Sequence, residues 1–138
     1  MEITKRRYEA VVRALNSLEK VLNSLDRPRD RDEYKIYRDS TIQRLEYCID
    51  TFWKFLKIYL QEFHKADVDA ASPRLILRKA EEAKILDEQS YKILTDCLAE
   101  RNLTSHSYNE DLAEEIVKSI PSYYETMRSI IDKLRLSL

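Results

Sequence analysis

The sequence contains no glycine in 138 residues. Tight β-turns need backbone at positive φ, which glycine supplies at no steric cost, so a sheet protein with many reversals is a poor fit. Long helices joined by few connections are what such a chain can build. The same absence removes every glycine-rich phosphate cradle, and with it the P-loop and dinucleotide-binding classes. The length suits one domain spanning residues 1–138 around one core. With 43% hydrophobic and 36% charged residues, the composition is globular rather than disordered.

Apolar spacing predicts five helices. Tyr8, Val11, Val12, Leu15, Leu18, Val21, Leu22 and Leu25 recur at three- and four-residue steps, giving a helix over about Ile3 to Leu25. Pro28 and the charged run Asp26 to Arg31 end it. A long second helix runs from about Asp32 to His64. Its main stripe is Ile42, Leu45, Ile49, Phe52, Leu56, Leu60 and Phe63, broadened by Cys48, Phe55, Ile58 and Tyr59. So wide an apolar surface marks a helix central to its bundle or buried against a second copy. Ser72-Pro73 is an N-cap followed by proline at the first helical position, which starts a third helix reaching about Ile85. Leu86-Asp87 separates it from a fourth, Glu88 to about Arg101. A polar link, Asn102 to Tyr108, leads to a fifth capped by Ser107 or Asn109, kinked or restarted at Pro121, and ending near Leu134. The expected fold is an all-α, antiparallel up-down bundle.

The 24 basic and 25 acidic residues leave a net charge of −1, so any contact with a polyanion has to come from a local patch. Cys48 and Cys97 lie inside helical patterns without C-x-x-C spacing and read as buried reduced thiols, with no metal site expected. Met1 to Glu9 carries charge early, unlike a signal peptide, and no run is apolar enough to span a membrane. The expected location is cytoplasmic.

Chemistry concentrates in the link Arg101-Asn102-Leu103-Thr104-Ser105-His106-Ser107-Tyr108, which holds one of the two histidines. The residues alone leave two readings open. In one, Arg101 serves only the dipole at a helix C-terminus, His106 is a polar loop residue and Tyr108 a core anchor. In the other, a permanent cation and a titratable imidazole act together.

The spacing fits R-x4-H-x-Y, and here the sequence resembles the HEPN superfamily, whose signature is R-x4-6-H. Further segments agree with one subfamily, the nucleotidyltransferase substrate-binding proteins: Arg38-Asp39-Ser40-Thr41-Ile42-Gln43-Arg44-Leu45-Glu46, then Trp53-Lys54 and Leu56, then Ser72-Pro73-Arg74. The resemblance covers roughly residues 35 to 125. It implies a helical protein that dimerises with two motif copies facing across a cleft, encoded beside a minimal nucleotidyltransferase. Several members are metal-independent ribonuclease toxins silenced by that partner, and in some pairs the partner transfers AMP to the motif tyrosine, Tyr108 here. The subfamily name preserves another reading, a non-catalytic subunit that presents substrate to the nucleotidyltransferase.

The residue chemistry suits a nuclease. RNA supplies its own nucleophile in the 2′-OH, so proton transfer by His106 and charge stabilisation by Arg101 suffice without a cofactor. Asn102 and Tyr108 are expected to support them. Elsewhere packing is the simpler expectation. His64 suits a helix C-terminus, Trp53 lies beside the core stripe, and Tyr34, Tyr37, Tyr47, Phe52, Phe55 and Tyr59 fall at helical spacings. Arg27, Arg29, Arg31, Lys35 and Arg38, interleaved with aspartates, read as a solvated loop. Glu110, Asp111, Glu114 and Glu115 read as acidic residues at a helix start rather than metal ligands.

Overall fold

The computed structural model describes residues 2–106 and 108–138, the side chains of Ser105 and His106 excepted. It contains α1 (Glu2–Ser24), α2 (Arg31–His64), α3 (Pro73–Glu82), α4 (Glu88–His106), α5 (Glu110–Leu134) and a 3-10 turn, Arg135–Ser137. Among the described residues there is no strand.

Side-chain pairs fix the directions. Thr4 of α1 bonds Glu62 of α2, and Arg44 of α2 reaches the Ser17 carbonyl, so these helices are antiparallel. Tyr124 with Glu19 and Arg128 with Asn16 make α5 antiparallel to α1. Arg101 with Asp50 and Thr104 with Glu46 set α4 antiparallel to α2. Helices α2 and α5 therefore run the same way across one diagonal of a four-helix core. On the other diagonal, the described Cα atoms of α1 and α4 stay more than 8 Å apart. The short α3 packs on α2 and α4. Helix α2 contacts all four of the others.

The predicted stripes become the core. Leu15, Leu18, Ile49, Phe52, Phe55, Leu56, Leu94, Ile116 and Ile131 are buried in one cluster drawn from α1, α2, α4 and α5. Each fully buried aliphatic or aromatic side chain contributes about 1.5–3 kcal/mol of transfer free energy. Cys48 and Cys97 are buried thiols, and burial pushes both up, Cys48 to about 12. Tyr47 and Tyr37, expected in packing, are instead 60% and 38% exposed.

Chain ends of the helices show how a glycine-free sequence turns. Lys65 closes α2 at φ 51, and Lys84 takes φ 62 after α3. Left-handed backbone costs a residue with a Cβ about 1–2 kcal/mol, partly offset because a cation suits a helix C-terminus. The turn at Lys84 lets the Ile85 and Leu86 amides donate to the Ala80 carbonyl, which ends α3 at Glu82, earlier than the expected Ile85. Ser72 caps α3 as predicted, accepting from the Leu75 amide.

Two further expectations are corrected. The segment from Asn102 is not a link: α4 continues through His106. Thr104 bonds back to the Arg101 carbonyl and across to Glu46, and Arg101 is tied to α2, so tertiary contacts extend a helix that local propensity would end. Pro121 does not restart α5, which is one helix with the proline on an exposed face, where water can serve the carbonyl left without a donor.

Candidate functional site

Three acidic residues of α2, Asp39, Glu46 and Asp50, follow one another at steps of seven and four. That spacing puts them on one helix face over about 16 Å. The end of α4 and the start of α5 lie along this face.

At one end, Arg101 meets two carboxylates. Its Nη1 donates to Glu46 Oε2 at 2.9 Å and its Nη2 to Asp50 Oδ2 at 3.2 Å, with Nε 3.5 Å from Asp50 Oδ1. The hydrogen bonds to Asp50 come first among the causes that raise the pKa of a guanidinium already permanently charged. Arg101 remains 30% exposed, and Glu46 and Asp50 are 26% and 35% exposed, so this is a solvent-edge network rather than a buried one. Thr104 lies 3.3 Å from Glu46, one turn beyond.

At the other end stands Tyr108, 44% exposed, whose hydroxyl donates to Asp39. A core-anchor role for Tyr108 is thereby excluded. Partial burial, then the bond to Asp39, pushes its phenol up to about 12. The next residue, Asn109, caps α5 by accepting from the Leu112 amide at 2.8 Å, so Asn109 meets the expectation for one of the two candidate caps. Ser107, the other, lies outside the described residues.

Beneath Asp39 is Arg38, and here the sequence reading needs correction. Rather than joining a solvated basic loop, Arg38 is 2% exposed. Its Nη1 and Nη2 donate to the two Glu110 oxygens at 2.6 and 3.2 Å. Its Nε donates to Asp39 Oδ1 at 3.1 Å, and Glu114 is 3.5 Å away. Glu110 and Glu114 therefore serve an ion pair at the start of α5. The guanidinium beside Glu110 holds its carboxyl below the usual range.

The structure thus brings Arg101 and Tyr108 onto one acidic face of α2, at opposite ends of it. Asn102 is exposed on α4. His106 is the last residue of that helix; its side chain lies outside what the structure describes. Asp39, Glu46, Asp50 and Thr104 were given no site role from sequence, and Glu110 was read only as an acidic residue at a helix start. The signal that could have found the three acids of α2 was their seven- and four-residue recurrence, off its apolar stripe; nothing comparable marked Thr104 or Glu110. Among the described residues no group of His, Cys, Asp and Glu is arranged to hold a metal.

An up-and-down helical bundle with an R-x4-H-x-Y segment set along a charged central helix defines the class. The chain belongs to the nucleotidyltransferase substrate binding protein-like family, which it matches over residues 6–136. It is 33% identical to a Thermus thermophilus protein of known crystal structure, with a TM-score of 0.79 over 91% of this chain and 98% of that one. Two remoter structures share the fold at 15% identity. One is a mutant of the toxin–antitoxin MntA-HpeT, with a TM-score of 0.72 over 97% of this chain and 98% of that one. The other is a tri-AMPylated Shewanella oneidensis HEPN toxin in complex with MNT antitoxin, with a TM-score of 0.71 over 99% and 98%. No curated protein matches the chain. No helix among the described residues is long and apolar enough to cross a membrane.

Proposed function

We propose that this chain is the HEPN toxin of a two-gene module, a metal-independent endoribonuclease silenced by a minimal nucleotidyltransferase that adenylylates Tyr108. The observation that supports it most is the placement of the motif. Arg101 is partly exposed at a polar edge of the bundle, and Tyr108, seven residues on, is 44% exposed at the other end of the same acidic face. In the reaction, His106 takes the proton from an RNA 2′-OH as that oxygen attacks the neighbouring phosphorus. The bond from that phosphorus to the 5′-oxygen breaks, the 5′-oxygen leaves with the electron pair and takes a proton from water, and a 2′,3′-cyclic phosphate remains. Arg101 stabilises the charge that builds on the phosphate oxygens. Asn102 contacts the phosphate through its amide. Before RNA binds, the Arg101 fork is held by Glu46 and Asp50, so the phosphate has to compete with those carboxylates. AMP on Tyr108 adds bulk and negative charge where the RNA strand has to lie.

A homodimer that pairs two motif segments belongs to this proposal. Exposed Tyr47 and Leu103, neighbours in sequence of Glu46 and Asn102, support it by offering apolar surface on the same two helices. A cytoplasmic setting follows from an RNA target.

Expression of the chain alone tests the reading. Growth arrest relieved by Arg101→Ala or His106→Ala, with purified protein cleaving RNA in EDTA, is the expected result. Cleavage lost in EDTA, or intact in His106→Ala, refutes it. The family description itself favours the second reading, a non-catalytic subunit presenting substrate to the nucleotidyltransferase. That reading predicts no cleavage by any form of the chain and a partner whose turnover depends on Arg101.

A further inference from the structure

Among the described residues, four phenols donate to a carboxylate on a different helix. Tyr34 of α2 bonds Glu114 of α5, Tyr123 of α5 bonds Glu100 of α4, Tyr124 of α5 bonds Glu19 of α1, and Tyr108 bonds Asp39 of α2. Three of these close seams between helices. Tyr123 and Tyr124 are buried and Tyr34 is partly buried. Tyr108, 44% exposed, is the most exposed of the four and so the one most open to another enzyme.

Its acceptor is also built differently. The Asp39 oxygen that accepts the Tyr108 hydrogen bond is held by Arg38, with Nε at 3.1 Å and Nη2 at 3.0 Å. That guanidinium is buried and braced from its far side by both oxygens of Glu110. A buried cation thus fixes one carboxylate oxygen against an accessible phenol. Asp39 itself is half-exposed, which leaves room for a substrate beside the pair.

A phenol pushed up to about 12 is a weak nucleophile unless its proton leaves as the new bond forms. The geometry points to Asp39 as the proton acceptor for nucleotidyl transfer onto Tyr108, so that the modified chain carries its own base. This inference rests on the reading of Tyr108 as the modified residue. The co-reactant is a nucleoside triphosphate bound by the nucleotidyltransferase. The phenol oxygen bonds to the α-phosphorus, and the bond from that phosphorus to the pyrophosphate oxygen breaks. Pyrophosphate leaves with the electron pair, and the phenol proton passes to Asp39. Arg38 acts through Asp39 as a positioning residue.

The experiment follows AMP incorporation from α-labelled ATP and magnesium, catalysed by the nucleotidyltransferase encoded beside this chain. It compares wild type, Tyr108→Phe, Asp39→Asn and Asp39→Glu. The expected result is that Tyr108→Phe takes up no label. Asp39→Asn should lower the maximal rate about 100-fold at an unchanged half-saturating concentration of the chain. The ratio of wild-type to Asp39→Asn rates should shrink as pH rises, because hydroxide replaces the missing base. Asp39→Glu keeps a carboxylate and restores part of the rate. If Asp39→Asn melts early, the Asp39→Glu variant carries the test, and an undiminished pH dependence there overturns the inference. A wild-type rate in Asp39→Asn with Tyr108→Phe silent overturns the base assignment alone, as does a raised half-saturating concentration with no loss of maximal rate. Label in Tyr108→Phe, or none in wild type, overturns the reading of Tyr108 and this inference with it.

Discussion

Arg38 and Arg101 are both arginines gripped by carboxylates across a helix pair, yet they sit in different surroundings. Arg38 sits 2% exposed under three acids at the α2–α5 joint, whereas Arg101 sits 30% exposed between two acids at the α2–α4 edge. Burying a guanidinium costs desolvation that only close, multiple partners recover, and removing either side then leaves charge stranded. A pair at the solvent edge contributes little to stability, so it can be exchanged for a phosphate at small cost. The difference teaches that a charged side chain's burial, more than its partner count, separates a structural clasp from a residue able to act.

The largest expected effect comes from the exposed arginine. Arg101→Ala should lower RNA cleavage about 100- to 1000-fold, the scale of losing one preorganised charge stabiliser. Its denaturation midpoint should move little, since a solvent-edge pair is worth at most about 1 kcal/mol. A large loss of stability with cleavage retained would invert the comparison.

Arg38→Met should do the reverse, costing about 2–3 kcal/mol in chemical denaturation, below the range for fully buried pairs because its carboxylates are half-exposed. An unchanged midpoint would show that the clasp is ornamental.

A pH titration sharpens the contrast at Tyr108. Its phenol, pushed from the usual 10.0 up to about 12, contributes stability that is complete below 10 and lost as pH rises toward 12. In Asp39→Asn the phenolate should appear closer to 10, read as the absorbance difference against the corresponding Tyr108→Phe protein. Glu110 works in the opposite direction. Its depressed pKa, caused first by the bond from Arg38, gives stability present above the unfolded carboxylate range and lost as pH falls through the folded value. The stability difference between wild type and Glu110→Gln should therefore vanish in acid.

The smallest effect serves as a control away from both arginines. Lys84→Gly should raise stability by about 0.5–1 kcal/mol, since glycine removes the left-handed penalty at φ 62 and returns part of the gain as backbone entropy. A loss would mean that the Lys84 charge at the helix end outweighs its backbone cost.

Much of this molecule could be read from the chain itself. Apolar stripes at three- and four-residue steps placed α1, α2 and α5 within a few residues, and Ser72-Pro73 marked the start of α3, because those signals are local. Arg101 and Tyr108 were visible as a motif. Their partners were not. Glu46, Asp50 and Asp39 lie 55, 51 and 69 residues away from the side chains they meet, and only the antiparallel crossing of α4 on α2 brings them together. The run of α4 through Asn102–His106 was hidden for the same reason, since it depends on anchoring to α2. Arg38 was misjudged because its sequence neighbours are wet, while Glu110 reaches it from 72 residues on.

Helix α2 touches every other helix, and it carries both the deepest apolar packing and the acids that meet Arg101 and Tyr108. A segment with two such duties has little room to drift. Substitutions along its inner face threaten folding and, on the proposed function, those along its acidic face threaten chemistry, so tolerance in a saturation screen should collapse across α2 while α1 accepts change on its outer side. Lineages that alter their target or their partner would have to do so from α4 and the start of α5, with α2 as the fixed template against which those changes are selected.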